Sequence, residues 1–205
     1  MSTRTKMRYV LLFIIPQLLI YFLLQRLFAV NEYNFLTPLD NWIPFIPEFI
    51  WVYHSLVPVI FFTAIILLKS RKNFFTCYIA CVMAAVFLVA FYILFPSFYP
   101  REALSGDSTS MWLVEVTRIV DHANNTFPSS HVTFSWLMYL SAKCSKLVKK
   151  FAIFVPVYWL WAAMVTASTL LLKQHYIVDV LSGVILAYAT YYLSMRVVRY
   201  MRYEE

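Results

Sequence analysis

The sequence predicts an all-α, polytopic membrane protein with six transmembrane helices, folded as a single domain over residues 1–205. Hydrophobic residues make up 62% of the chain and the mean hydropathy is +0.70. A soluble domain of ordinary composition is less apolar, at roughly 45–50%. The chain has only 2 glycines, which leaves no glycine-rich phosphate loop and no flexible linker to a second domain.

Six apolar windows are each long enough, at about 20 residues, to cross a bilayer. They are 9–30, 49–68, 75–95, 131–148, 151–172 and 176–195.

Lysine and arginine residues predict the orientation of these helices. Most of the 17 Lys and Arg residues fall in four segments: the amino end, the loop after the second window, the loop after the fourth window and the tail. Cytoplasmic loops of membrane proteins hold the excess of basic residues. We therefore expect both termini in the cytoplasm and the loops 96–130 and 173–175 on the opposite face. This topology explains the net charge of +7 without a nucleic-acid partner. The basic residues concerned are Arg4, Lys6, Arg8, Lys69, Arg71, Lys72, Lys143, Lys146, Lys149, Lys150, Arg196, Arg199 and Arg202.

The remaining basic residues predict a polar site on the non-cytoplasmic face. They are Arg26, Arg101, Arg118 and Lys173, and all four histidines lie on the same side. Ionisable groups at membrane depth are costly, and they usually line a cavity or pair with a ligand. The 3 cysteines lie in or near apolar runs without the spacing of a metal site, so we expect no metal and no cofactor.

The first polar cluster is "STLLLKQHYIVDV", residues 168–180. His175 and Asp179 are four residues apart, so on a helix they share a face and the carboxylate can accept a hydrogen bond from one ring nitrogen. Such a bond fixes the tautomer and leaves the other nitrogen free as a base or nucleophile. The same spacing also suits half of a metal site.

The second cluster is "TFPSSHVTF", residues 126–134. Pro128 suits the first turn of a helix, and the N–H groups and hydroxyls of Ser129 and Ser130 would then lie at a helix start, where phosphate oxygens bind. His131 would be placed to exchange a proton with a leaving group. Alternatively, the prolyl-seryl stretch only caps the fourth span.

Together the two clusters resemble the type 2 phosphatidic acid phosphatase (PAP2) superfamily, whose three sequence blocks are written KxxxxxxRP, PSGH and SRxxxxxHxxxD. Residues 128–131 match the second block with Ser130 in the glycine position, and residues 168–179 match the spacing of the third block. The resemblance implies that His175 is the nucleophile that takes the phosphoryl group. It also implies that Asp179 orients His175 and that His131 protonates the leaving oxygen. The implied phosphate-binding residues are Arg101, Ser129 and Ser130.

The chain departs from the family pattern in two blocks. The first block keeps Arg101, but Leu94 and Glu102 stand where the family has lysine and proline, which is similar to a divergent bacterial branch. In the third block Thr169 replaces the family's arginine. Lys173 follows four residues later, so on a continuous helix it would share a face with Thr169 and could supply the missing phosphate-binding charge. The alternative is a lysine that extends to the membrane interface.

The resemblance implies a metal-independent hydrolase that removes phosphate from a membrane lipid. Its partners would be the lipid bilayer and a lipid with a phosphate headgroup. Its location would be the plasma membrane of a bacterium, with the site facing the periplasm or the cell exterior. Three alternatives stay open at this point: a phosphotransferase that passes the group to a lipid or sugar hydroxyl, a transporter whose His–Asp pair relays protons, and a zinc enzyme. The zinc ligands would be His131, His175 and Asp179.

Overall fold

The computed structural model describes residues 1–27, 32–101, 103–151 and 153–201. Within these ranges the chain is predominantly α-helical, with isolated β-bridges but no β-strand, which confirms the all-α prediction for this part of the chain. Arg202 and Glu102, which entered the sequence predictions, lie outside the described residues. The α-helices are α1 (Thr3–Leu27), α2 (Ile50–His54), α3 (Leu56–Phe62), α4 (Arg71–Leu94), α5 (Thr109–Val120), α6 (Ser130–Lys143), α7 (Lys146–Lys150), α8 (Phe154–Leu171) and α9 (Ile177–Tyr200).

Five helical segments in the described residues have the length and hydropathy of membrane spans. They fit an integral membrane protein and correspond to five of the six predicted windows. The second span is a composite of a 3₁₀ turn, α2, α3 and a terminal π-helical turn over Thr63–Leu67. The five segments are Thr3–Leu27, Pro47–Leu67, Arg71–Leu94, Phe154–Leu171 and Ile177–Tyr200.

The predicted window 131–148 folds differently from the other five. Its helix α6 has 14 residues, a length of about 21 Å, whereas the hydrocarbon core of a bilayer is about 30 Å thick. The helix breaks at Cys144, and the short helix α7 follows. Most of α6 is buried, since it packs against α4, α8 and α9. It therefore forms the centre of the bundle, while a count of six spans and the orientation of the termini stay predictions.

One of the basic residues that predicted the topology also stabilises the fold. Lys6 is buried, and its ammonium donates to the backbone carbonyls of Ile65 (3.1 Å) and Leu68 (2.6 Å). These carbonyls belong to the end of the second span, where backbone acceptors lose their helical partners. Lys6 thus ties the amino end of α1 to the second span.

Helices α6 and α9 cross closely at Gly183. A Cβ atom at this position would lie 2.8 Å from the carbonyl oxygen of Ser129 and 3.2 Å from Cβ of Val132, so only glycine allows this approach without a shift of backbone. Two hydrogen bonds join the helices at the crossing. The Thr133 hydroxyl donates to the Gly183 carbonyl (3.2 Å), and the Ser129 N–H donates to the Asp179 carbonyl (3.0 Å). The first turns of α6 and α9 are therefore held side by side.

Two carboxylates cap the amino end of α9. Oδ2 of Asp179 accepts from the N–H of Tyr176 at 2.9 Å, and Oδ1 of Asp40 accepts from the N–H of Ile177 at 2.8 Å. The other oxygen of Asp40 accepts from the N–H and the hydroxyl of Thr37. Carboxylates at this position satisfy free N–H groups and interact favourably with the helix dipole. Asp40 therefore fixes the loop before the second span to the start of α9.

We expect Gly183→Ala to destabilise the protein. The added methyl group meets a backbone oxygen, and overpacking of this kind typically costs about 1–3 kcal/mol, which exceeds the helix preference of alanine over glycine of up to about 1 kcal/mol. The measurement is reversible unfolding in detergent, with Ile185→Ala as the control on the exposed face of the same helix, where Ile185 is 68% exposed. A Gly183→Ala protein as stable as the parent would show that the crossing can open without cost.

Candidate active site

His175 lies in the tight connection between α8 and α9. The backbone N–H groups of Gln174 and His175 both donate to the carbonyl of Thr169, at 3.0 and 3.2 Å, and Lys173 adopts a left-handed conformation with φ 55°. This turn reverses the chain between the two helices. It places the His175 side chain in the interior, where the residue is only 8% exposed.

The tautomer of His175 follows from its hydrogen bond. Nδ1 lies 2.9 Å from the carbonyl oxygen of Thr126, and since a carbonyl only accepts, Nδ1 must carry the proton. The other ring nitrogen, Nε2, then has its lone pair free. Oδ2 of Asp179 is farther from Nδ1, at 3.5 Å, which is beyond an ordinary N–H···O hydrogen bond. The sequence pattern predicted Asp179 as the acceptor, whereas Thr126 accepts the shorter hydrogen bond.

Asp179 is fully buried in the first turn of α9. One carboxylate oxygen caps the helix and lies within electrostatic reach of His175, and the other has no hydrogen-bond partner among the described residues. Its backbone carbonyl accepts from Ser129. Asp179 thus connects both predicted clusters, once through its side chain and once through its backbone.

His131 lies in the first turn of α6 and is half-buried. Its imidazole stacks on the ring of Tyr53 from α2, with ring centroids 3.9 Å apart and an angle of 22° between the planes. His131 is within electrostatic range of His175. The fold therefore brings the two predicted catalytic histidines near each other, His131 from the start of α6 and His175 from the connection between α8 and α9.

The amino end of α6 differs in detail from the prediction. The helix begins at Ser130, and Ser129 is the N-cap, whose hydroxyl accepts from the N–H of Val132 at 3.5 Å. Pro128 precedes the cap and does not lie in the first turn. The N–H of Ser129 is already used in the bond to Asp179. The N–H groups of Ser130 and His131 have no acceptor within the part of the chain that the structure describes, and free N–H groups at a helix start are suited to an anion.

Arg101 lies beside the site and contacts neutral acceptors. Its guanidinium donates to the side-chain oxygen of Gln174 at 2.6 Å and to three backbone carbonyls in the last turn of α5 and just after it, those of Arg118, Asp121 and His122. Burial lowers the pKa of Arg101 from its usual value, whereas the nearby Asp121 carboxylate raises it. An arginine remains charged under all ordinary conditions. Arg101 is therefore bonded to the residue that directly precedes the predicted nucleophile.

Lys173 does not share a helical face with Thr169, because α8 ends at Leu171. Thr169 is fully buried and its hydroxyl donates to the Thr166 carbonyl at 2.7 Å. The ammonium of Lys173 donates instead to the backbone carbonyl of Asp40 at 3.2 Å. Lys173 lines a pocket of about 320 Å³ between the loops, and the neighbouring lining residues include Tyr99, Arg118 and Tyr176. The helical spacing therefore no longer supports Lys173 as a phosphate-binding residue. That role stays a prediction, which now depends on the position of Lys173 in this pocket.

An apolar groove extends from the start of α6 to the outer surface of the bundle. It has a volume of about 130 Å³ and lies between α1, α3 and α6. Ser130 and His131 line it together with side chains that are about half exposed on the outer surface, such as Leu18 and Val57. The remaining lining residues are Phe13, Ile14, Gln17, Tyr21, Leu56, Ile60 and Phe134.

The sequence patterns missed several groups that build the site. The Thr126 carbonyl is a backbone acceptor, and Gln174 was not singled out although it precedes His175. Asp40 and Tyr53 come from the segments before and within the second span, far from both clusters. For the zinc hypothesis, no group of three or more His, Cys, Asp or Glu side chains within the described ranges is arranged to hold a metal ion.

Comparison with known proteins gives one finding. The family model described as "PAP2 superfamily" matches residues 94–203, which is more than half of the chain and includes Arg101 and both polar clusters. No curated protein and no solved structure matches the chain.

Proposed function

The chain belongs to the PAP2 superfamily, whose members are generally phosphatases, and from this membership we propose that it is a membrane-embedded phosphatase. Its substrate is a lipid phosphate or a lipid pyrophosphate, and the reaction passes through a phosphohistidine on His175. The observation that carries the proposal is the geometry of His175. Nδ1 of His175 donates its proton to the carbonyl oxygen of Thr126, and the two atoms are 2.9 Å apart. The lone pair of Nε2 is then free to act as the nucleophile.

The reaction has two steps in this proposal. The Nε2 lone pair attacks phosphorus, the bond from phosphorus to the lipid oxygen breaks, and protonated His131 gives its proton to that oxygen. Water then attacks the phosphohistidine, and neutral His131 takes the proton of the water. The N–P bond breaks, inorganic phosphate leaves, and both histidines return to their initial states. Asp179, at 3.5 Å from the ring, offsets the positive charge on His175 while the phosphoryl group is attached.

Neutral donors and one arginine stabilise the phosphate oxygens. The N–H groups of Ser130 and His131 point from the positive end of α6, and Ser129 holds that turn in place by its cap. The contacts of Arg101 with carbonyl and amide oxygens leave its charge uncancelled by a directly bonded carboxylate, so the charge remains for the substrate. Lys173 adds a positive charge in the pocket between the loops, from which an anionic headgroup would approach.

The apolar groove supports a lipid as the substrate. Its inner end is at Ser130 and His131, where the leaving oxygen would lie, and its walls are the membrane-facing helices α1 and α3. A hydrocarbon tail in this groove would stay in an apolar environment while the phosphate reaches His175. With the topology predicted from the basic residues, the site opens on the non-cytoplasmic face of the plasma membrane.

We expect His175→Ala to abolish phosphate release from lipid phosphates by the purified protein, because no other group can replace the nucleophile. His122→Ala is the matched control, since His122 is an exposed histidine next to the same loops, and it should keep parental activity. Both are measured with and without EDTA, which should not change the rate. A His175→Ala activity within about tenfold of the parent, or ~1.4 kcal/mol in barrier, would contradict the assignment of the nucleophile. A parental activity that EDTA removes and zinc restores would favour a metal enzyme.

We expect Ile60→Trp to impair long-chain substrates selectively, because the larger side chain fills the groove at a wall of α3. With a long-chain alkyl phosphate, KM should rise by roughly tenfold, equivalent to about 1.4 kcal/mol of binding. A short-chain alkyl phosphate has the same leaving group and should keep its KM.

The control for this experiment is Leu12→Trp, which places the same side chain on the exposed face of α1, where Leu12 is 67% exposed. Equal effects of Ile60→Trp on both chain lengths would exclude the groove as the site of the tail. Such a result would leave the phosphatase chemistry itself untouched.

A further inference from the structure

The His131 ring is held in place by stacking and by no hydrogen bond within the described residues. Neither ring nitrogen of His131 has a hydrogen-bond partner in that part of the chain, in contrast to His175 and His54, which both do. The plane of an imidazole without such a bond is free to turn about its last side-chain torsion. The stack on Tyr53, with centroids 3.9 Å apart, opposes this rotation.

Tyr53 is itself fixed on two sides. Its ring is 2% exposed, and its hydroxyl donates to Oδ2 of Asp121 in a long hydrogen bond of 3.4 Å. The other oxygen of that carboxylate accepts from the Tyr21 hydroxyl (2.7 Å) and from the side-chain amide of Gln25 (2.6 Å). Asp121 thereby connects α1, α2 and the loop that follows α5, and Tyr53 cannot tilt without disturbing this network.

We propose that Tyr53 is a positioning residue for the acid–base work of His131. The inference rests on the proposed function, in which His131 protonates the leaving oxygen. Stacked aromatic rings attract each other beyond the burial of their surface. Tyr53 sets the direction in which Nδ1–H or Nε2–H of His131 points.

The test compares two short substrates that differ in their leaving group. An alkyl phosphate releases an alkoxide that must be protonated, whereas 4-nitrophenyl phosphate releases a stable phenolate that does not need an acid. Tyr53→Met fills the space with an unbranched side chain but removes the ring. Because His131 also takes the proton of water in the second step, which both substrates share, the comparison uses kcat/KM, which reports the steps up to release of the leaving group. We expect kcat/KM for the alkyl phosphate to fall by about tenfold or more, equivalent to ~1.4 kcal/mol in barrier, while kcat/KM for 4-nitrophenyl phosphate stays within about threefold. Tyr53→Phe keeps the ring and should restore most of the activity on the alkyl phosphate.

Two controls separate this role from a structural one. Tyr158→Leu removes another buried tyrosine, which bonds Thr63, and any loss there should be equal for both substrates. His131→Ala should also lose activity selectively on the alkyl phosphate, and its loss should be larger than that of Tyr53→Met. A selective loss in His131→Ala without one in Tyr53→Met would overturn the positioning role alone, whereas no selective loss in His131→Ala would overturn the proposed acid.

Equal losses of Tyr53→Met on both substrates would also overturn the inference, since they would mean a general disturbance of the site. Should Tyr53→Met fail to fold, Tyr53→Leu and Tyr53→Phe are measured with the same two substrates. Tyr53→Leu lacks the ring and should show the selective loss in kcat/KM, whereas Tyr53→Phe keeps the ring and should keep the parental ratio. Parental ratios in both variants, or a selective loss in Tyr53→Phe, would contradict a role of the ring.

Discussion

The close crossing of α6 and α9 at Gly183 is the constraint on which the site depends. It allows the N–H of Ser129 to reach the carbonyl of Asp179 at 3.0 Å, and this bond joins two clusters that are distant in the sequence. Each cluster lies at the amino end of its helix, so one short contact between backbones places both helix starts together. A separation of the helices would move His131 and the free N–H groups away from His175, although every side chain would still be present.

The charged side chains around the site form hydrogen bonds mainly with neutral polar groups. Asp40 accepts from backbone N–H groups and a hydroxyl, Asp121 accepts from two tyrosines and an amide, and Arg101 donates to carbonyls and an amide. In an apolar protein such bonds avoid the cost of a buried unpaired charge. Within the described residues, no carboxylate is directly hydrogen-bonded to Arg101. The same contacts join the loops on one face of the bundle, so the framework of the site and its electrostatics come from the same residues.

The sequence was sufficient for the parts of the fold that depend on local pattern. Five spans follow from apolar windows, and the His–Asp and Ser–Ser–His clusters follow from their spacing in the sequence, although His175 lies just before α9 and not on it. It was not sufficient for α6, whose apolar composition resembles that of a span although the helix is short and lies in the core. It also misplaced Lys173, because α8 ends without a glycine signal and a lysine takes the left-handed position. The Thr126 carbonyl, Asp40 and Tyr53 could not be predicted, since a backbone acceptor has no side-chain signature and the other two reach the site only through tertiary packing.

The central claim is that His175 carries the phosphoryl group, and the most direct test is to trap it. The purified protein would be mixed with a lipid phosphate labelled in the phosphate, quenched in alkali within one turnover, and digested for mapping of the label by mass spectrometry. Since a phosphohistidine is stable in base and labile in acid, we predict label on the peptide that contains His175, lost after acid treatment and absent from His175→Ala. Acid-stable label on Ser129 or Ser130, or phosphate release without any label on His175, would contradict the account.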